Sequence, residues 1–235
     1  MEHVEMRERL TTLGCRVAGG RVTFPPEVIA ATLAAVPPSF QVYGRTPEIT
    51  VLVGGGPMLC TNTGILANVY DLDTGSVRRA TLADVAATTR ILDALPNVDI
   101  VYVSLLDATD QPPHLVTASD LAAVLANTEK PLIGPGVASR AEAEVVIRMA
   151  TAVRGGDAAA LQQYPLCVPF ICAVSPLWFP RDVVEALDAI GRAGLPLDVL
   201  SNPVAGLTAF YMMRLVVLTF HGENRASAEV RHHIH

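Results

Sequence analysis

Apolar residues in this chain follow two rhythms. Up to about residue 80 they come as short alternating runs broken by glycine and proline; further on they come as continuous apolar runs, each followed by a longer segment with helical spacing. The first rhythm predicts a small α+β region. MEHVEMRERLTTLGCRV reads as a charged helix ending near Gly14, and AGGRVTF as a turn and a short strand. In FPPEVIAATLAAVPPSF a proline precedes an apolar-periodic run and Pro37 and Pro38 stop it, which brackets a helix of about ten residues. Residues 41 to 72 alternate between glycine breaks and predict a small antiparallel patch.

The second rhythm is strand, then helix, repeated. Thr81 and Asp84 form a capping-box arrangement at the head of a helix that runs through Leu95, and residues 97 to 106 (NVDIVYVSLL) read as a buried strand. The polar loop DATDQPPH leads to the helix SDLAAVLANTEK and the strand KPLIGPGV. SRAEAEVVIRMATAVRGG is a helix capped by Ser139; VPFICAVSPLWF is a strand, PRDVVEALDAIGRAG a helix and LPLDVLSNPV a strand. Parallel strands need a long crossover and a helix supplies it, so the alternation implies a parallel sheet covered on both faces. The chain thus divides into an N-terminal region, 1–80, and a repeated β/α region, 81–235. No GxGxxG opens a helix after any strand, and Gly54, Gly55 and Gly56 run into Pro57, which removes the best support for a dinucleotide fold.

Several of these strands end on small polar residues. Thr61, Asn62 and Thr63, then Ser104 and Asp107, then Ser175, then Ser201 and Asn202 follow the first, second, fourth and fifth candidate strands, at the carboxyl ends where parallel α/β proteins bind ligands. In a barrel they would face one mouth; as isolated residues they equally cap helices and close turns.

Composition narrows the classes. With 51% hydrophobic and 17% charged residues the chain builds a large core, and a net charge of -6 with no basic run argues against nucleic acid. No apolar run is long enough to span a bilayer and the first residues are charged, so a cytoplasmic protein is expected. Cys15, Cys60, Cys167 and Cys172 form no CxxC pair and are expected to be buried reduced thiols. His114 lies in a loop after a strand, and His221, His232, His233 and His235 crowd the tail without a zinc-site spacing; no metal is expected. A Schiff-base lyase would need Lys130, the only lysine, which precedes a strand and so sits at the wrong end for barrel chemistry.

RVTFPPEVIAATLAAVPPSFQVYGR, VYDLDTGSVRRATLADVAATTRILDALPNVD, NTEKPLI, RGGDAAALQQYPL and VSPLWFPRDVVEALDAIGRAGLPLDVLSNPVAGLTA resemble successive blocks of the trimethylamine methyltransferase family, in the family's order. The resemblance covers residues 13 to 209. It implies a (β/α)8 TIM-type barrel that moves a methyl group from a tertiary or quaternary amine to the cobalt of a separate corrinoid protein. No cofactor is then bound directly; the corrinoid is carried by the partner. The chain's sequence holds no pyrrolysine, so it is grouped with the homologues that lack it and resemble glycine betaine methyltransferases.

The family's chains are longer, and the expectation is therefore a partial barrel of about five parallel strands, truncated, with an atypical tail after Ala209. Its open sheet edges are expected to favour self-association. The reaction needs a site that tolerates a cation, and no acid or base need act on the carbon, so catalytic residues are left unassigned. For substrate binding the expected residues are Asn62, Ser104, Asp107, Ser175, Trp178 and Asn202, with Tyr43, Tyr70, Tyr102 and Phe170 as further aromatic candidates for holding a cation or for ordinary packing. The alternative is an inactive truncated remnant that at most binds a corrinoid protein or substrate.

Overall fold

The computed structural model describes residues 3–62, 64, 66–172 and 178–200. Helix α1 (Val4–Thr12) leads into a hairpin of β1 (Arg16–Ala18) and β2 (Arg21–Thr23), with Val17 opposite Val22. Helix α2 (Pro26–Ala35) starts on Pro26, which suits a first turn because the N–H that proline lacks would be unpaired there anyway. Strands β3 (Phe40–Tyr43) and β4 (Thr50–Val53) form a second antiparallel hairpin, and β5 (Asn68–Tyr70) and β6 (Val77–Arg79) a third.

The patch expected over residues 41 to 72 is therefore two separate hairpins. Between them the chain joins the parallel sheet instead: Thr61 bridges Ile100 and Leu66 bridges Leu106, both in parallel sense. The backbone hydrogen bonds explain the choice, since the Cys60 carbonyl accepts from the Asp99 and Ile100 amides while Leu66 donates to Leu105 and accepts from Asp107.

The second half holds α3 (Leu82–Ala94), β7 (Val101–Tyr102), α4 (Val116–Asn127), β8 (Leu132–Gly136), α5 (Arg140–Val153), α6 (Ala158–Gln163), β9 (Cys167–Cys172), α7 (Arg181–Arg192) and β10 (Asp198–Leu200). Strands β7 to β10 make one parallel sheet in which spatial order equals chain order. Nowhere does that order reverse, as it would in a doubly wound sheet. The parallel α/β class expected from the sequence is thus present.

Two elements differ from expectation. Strand β7 is far shorter than the apolar run 97 to 106, because the Asn62 side chain replaces a ladder partner: its Oδ1 accepts from the Tyr102 amide at 2.9 Å and its Nδ2 donates to the Tyr102 carbonyl at 3.1 Å. Helix α6 is absent from the apolar pattern; its signal is Asp157, whose carboxylate accepts the Ala159 amide at 2.8 Å as an N-cap.

The core lies where the sheet meets its helices. Val101, Leu132 and Ile171 from the strands pack with Val85, Leu121, Val124, Val146 and Ile190 from the helices, each stabilising the fold by about 1.5–3 kcal/mol on burial. Among the cysteines, Cys15 and Cys167 are buried as expected, but Cys60 and Cys172 are exposed, and none is bridged. Both exposed thiols sit at strand margins, Cys60 before the Thr61 bridge and Cys172 at the end of β9.

The amino-terminal end of the sheet is closed by the β3–β4 hairpin. Tyr43 donates to Pro165 and Arg45 to Glu129, the segments that feed β9 and β8. Arg154 reinforces the closure by donating to the carbonyls of Gly44, Arg45 and Tyr164 at 2.7 to 2.9 Å. Lys130 belongs to this same end, its ammonium donating to the Leu92 and Leu95 carbonyls that finish α3, in keeping with its position before a strand.

Candidate functional site

At the opposite end, past the carboxyl termini of the strands, lies a cleft of about 340 Å³. Ser104 and Asp107 come from the loop after β7, Gly136 to Ala138 from the end of β8, and Phe170 and Cys172 from β9. Thr117 and Asp120 enter from the start of α4 and Glu142 from the first turn of α5, with Leu106, Val116 and Val183 as apolar wall. Helix α5 follows β8 by a short connection and α4 follows β7 after a longer loop, and in both the amino-terminal turn opens beside the carboxyl ends of the strands, which is why these helix residues converge there.

Asp120 sets the electrostatics. The residue is only 4% exposed, and its Oδ1 has no hydrogen-bond partner among the described residues. Burial first, and the charges of Asp107 and Asp110 after it, push the Asp120 carboxyl up to about 7. Asp110 is otherwise engaged, accepting the Leu82 amide at 2.9 Å at the head of α3, and Glu142 accepts the Ala138 amide at 2.8 Å. Asp107, Asp120 and Glu142 line the cleft, and no lysine, arginine or histidine does among the described residues. A cation is the solute this wall favours.

Phe170 supplies an aromatic face. Its ring stacks on Tyr102 with centroids 5.6 Å apart and an interplanar angle of 19°. Gly136 makes room for it, since a Cβ there would meet the Phe170 ring at 2.7 Å. Gly64 plays a similar part behind the wall, where a Cβ would collide with the Ser104 carbonyl.

Of the residues singled out in the sequence, Ser104, Asp107 and Phe170 are brought together at the cleft. Asn62 is occupied by the Tyr102 backbone, a strand-pairing use of its amide. Trp178 is exposed and lies outside the cleft wall. Tyr43 is at the other end of the sheet, edge-on to Tyr164 at 5.2 Å, and Tyr70 is exposed on β5. Thr63, Ser175, Ser201, Asn202 and the histidines of the tail lie outside the described residues.

Asp120 and Glu142 are missed by a sequence reading that follows strand ends and not helix starts. A usable signal exists for Asp120: it is the single charge in the otherwise uncharged helix VTASDLAAVLAN.

A parallel α/β domain with an acidic, aromatic cleft beyond its strand ends is the class that fold and site define. The trimethylamine methyltransferase (MTTB) family profile matches residues 1–217, and the chain belongs to that family. It is 28% identical over 202 residues to trimethylamine methyltransferase MttB of Desulfitobacterium hafniense (strain DSM 10664 / DCB-2), across 86% of this chain. Over 195 residues it is 26% identical to glycine betaine methyltransferase of Desulfitobacterium hafniense (strain Y51), across 83% of this chain. In both cases the match spans 40% of the relative's length.

Proposed function

We propose that the chain binds a methylated amine in the cleft and passes one methyl group to a corrinoid carried by a separate protein. The observation that carries this reading is the acidic cleft with an aromatic face, built by a member of a methyl-transferring family. Carboxylates attract the ammonium and Phe170 adds about 0.5–2 kcal/mol of cation–π attraction, while the apolar wall receives the methyl groups. The methyl carbon leaves nitrogen without its bonding pair, which stays on the amine, so the chain's own residues bind, orient and exclude water, and no residue exchanges a proton with the carbon. The corrinoid would supply the nucleophile that accepts the methyl group. A cleft of about 340 Å³ fits a small amine and is too small to enclose a corrin ring, which agrees with a corrinoid presented from outside by its own protein.

In this reading the sequentially ordered parallel sheet is the first part of a (β/α)8 barrel, with the cleft at its catalytic face. The unbridged cysteines suit the reducing cytoplasm.

The test mixes the chain with reduced corrinoid protein and either trimethylamine or glycine betaine, and follows dimethylamine or dimethylglycine by NMR. Formation of the demethylated amine, dependent on the chain, is the expected result. Amine binding with no demethylated product would assign the chain a binding role alone.

A further inference from the structure

The rim of the cleft carries a surface that binding a small amine does not use. The segment that pairs beside β7 runs on from there into the β5–β6 hairpin. The Leu66 amide donates to the Leu105 carbonyl, the Leu66 carbonyl accepts from Asp107, and Leu66 bridges Leu106, which lines the cleft together with Asp107. The base of the hairpin is tied to the same loop: the Ala80 amide donates to Ala67, and the Ala80 carbonyl accepts the Thr109 amide and, at 2.8 Å, its hydroxyl. The hairpin thus rises from the cleft's own wall.

Its two faces differ. Side chains alternate along a strand, and burial follows that alternation: Ala67 and Val69 are half-buried, Val69 against the core, whereas Leu66, Asn68 and Tyr70 are exposed. Across the hairpin Val69 pairs with Arg78, which is forked onto Asp84 of α3, and Tyr70 pairs with Val77, itself exposed. One face is anchored; the other presents Leu66, Tyr70 and Val77, with Tyr70 at 74% exposure and Leu72 in the turn beyond at 96%. The turn is held as well, since Asp71 accepts the Thr74 amide and hydroxyl, each at 2.9 Å. An apolar surface fixed in this way loses little freedom when a partner covers it, and tyrosine is prominent among the side chains that carry the energy of protein contacts.

We propose that the outer face of the β5–β6 hairpin is a docking lip for the protein that carries the corrinoid. This rests on the methyl-transfer reading, in which an acceptor too large for the cleft is brought to its mouth by another protein. Such a protein has to bear on the rim, and Leu66 beside Leu106 makes the lip continuous with it. Asp73 in the turn and Asp107 and Glu142 at the cleft outnumber Arg79 at the base of the outer face, so the partner surface that fits is apolar at its centre and basic around it. A second copy of this chain fits less well, because it brings the same acids and a net charge of -6 against them.

Biolayer interferometry of the whole chain against the corrinoid protein of the methyl-transfer test, loaded with hydroxocobalamin, measures the contact. Tyr70→Ser, and Leu72→Ser combined with Val77→Ser, are expected to weaken binding at least about tenfold, while Leu33→Ser, at an exposed apolar position on α2, should leave it within about twofold. Hydrogen exchange of the unaltered chain gives a second measurement: the amides of residues 70 to 77 should slow when the corrinoid protein is added. Unchanged affinity in both hairpin variants, or no slowing of these amides by a corrinoid protein that does bind, would overturn the lip and leave the methyl-transfer reading standing. Lost binding in the hairpin variants, with no demethylation by the unaltered chain, would keep the lip and bring down the methyl-transfer reading. A corrinoid protein that never binds the unaltered chain would bring down both. Hairpin changes that lower the mass seen by light scattering, with corrinoid-protein affinity intact, would assign this face to a contact between copies and refute the proposal.

Discussion

Asp120 shows how burying one carboxyl makes stability depend on pH. A carboxyl pushed up to about 7 in the folded chain, against about 3.9 when unfolded, binds its proton more tightly in the native state. Stability is therefore greatest below the unfolded value, falls as pH rises between the two, and stays low above about 7. Asp120→Asn removes the charge and keeps the shape, so the variant should match the parent at pH 4 and exceed it at pH 8, by roughly 2–4 kcal/mol. Thermal melts at the two pH values check this; a variant less stable than the parent at pH 8 would show that hydrogen bonds or positive charge around the buried carboxylate compensate it. Asn62 makes the opposite point, since a polar residue at a strand end can be consumed by the backbone beside it, here that of Tyr102, and its type and position resemble those of a ligand-binding residue.

Among the elements, α3 is the one most firmly started. Asp84 accepts the Thr81 amide at 2.9 Å and the Thr81 hydroxyl at 2.7 Å, and Arg78 of β6 forks onto it at 2.6 and 2.8 Å while also reaching Asp71. The Arg78 guanidinium, first of these, and the hydrogen bonds from Thr81 hold the Asp84 carboxyl well below the usual carboxylate range. One acid thus caps a helix and pins the β5–β6 hairpin to it. Replacing it by alanine should destabilise the chain by about 1–2 kcal/mol at pH 7. Because the pKa is lowered, that loss is present above about pH 4 and shrinks as pH falls and the parent's own carboxylate is protonated. Urea titrations of Asp84→Ala at pH 7 and pH 3 measure it, and an equal loss at both would refute the electrostatic part.

For the whole molecule, the decisive arrangement is a parallel sheet whose amino end is closed by a hairpin and whose carboxyl end is open. Arg154 ties the closure together, and burial lowers its guanidinium's pKa from the ordinary value. The same arrangement leaves apolar surface uncovered: α2 buries none of its residues, and Phe24, Ile29, Leu33 and Val36 on and around it are exposed. Contiguous exposed apolar side chains favour association. The chain is expected to elute from size exclusion, with light scattering, above its monomer mass of 24.9 kDa. A stable monomer at high micromolar concentration would contradict that.

Much of the fold follows from local chemistry written in the sequence. Pro26 starts α2, Thr81 and Asp84 start α3, Ser139 caps α5, and continuous apolar runs between helices fix a parallel α/β class, because each of these is an interaction among residues close in the chain. The placement of Ser104 and Asp107 at strand ends was legible for the same reason. What only the tertiary structure decided is which distant groups share one space. The segment near Thr61 left its neighbours to pair beside β7, Asn62 was spent on Tyr102, and Asp120, unremarkable on its own helix, became a buried acceptor facing Asp107 and Glu142. Burial and charge coupling depend on everything that packs around a group, and no spacing along the chain encodes that.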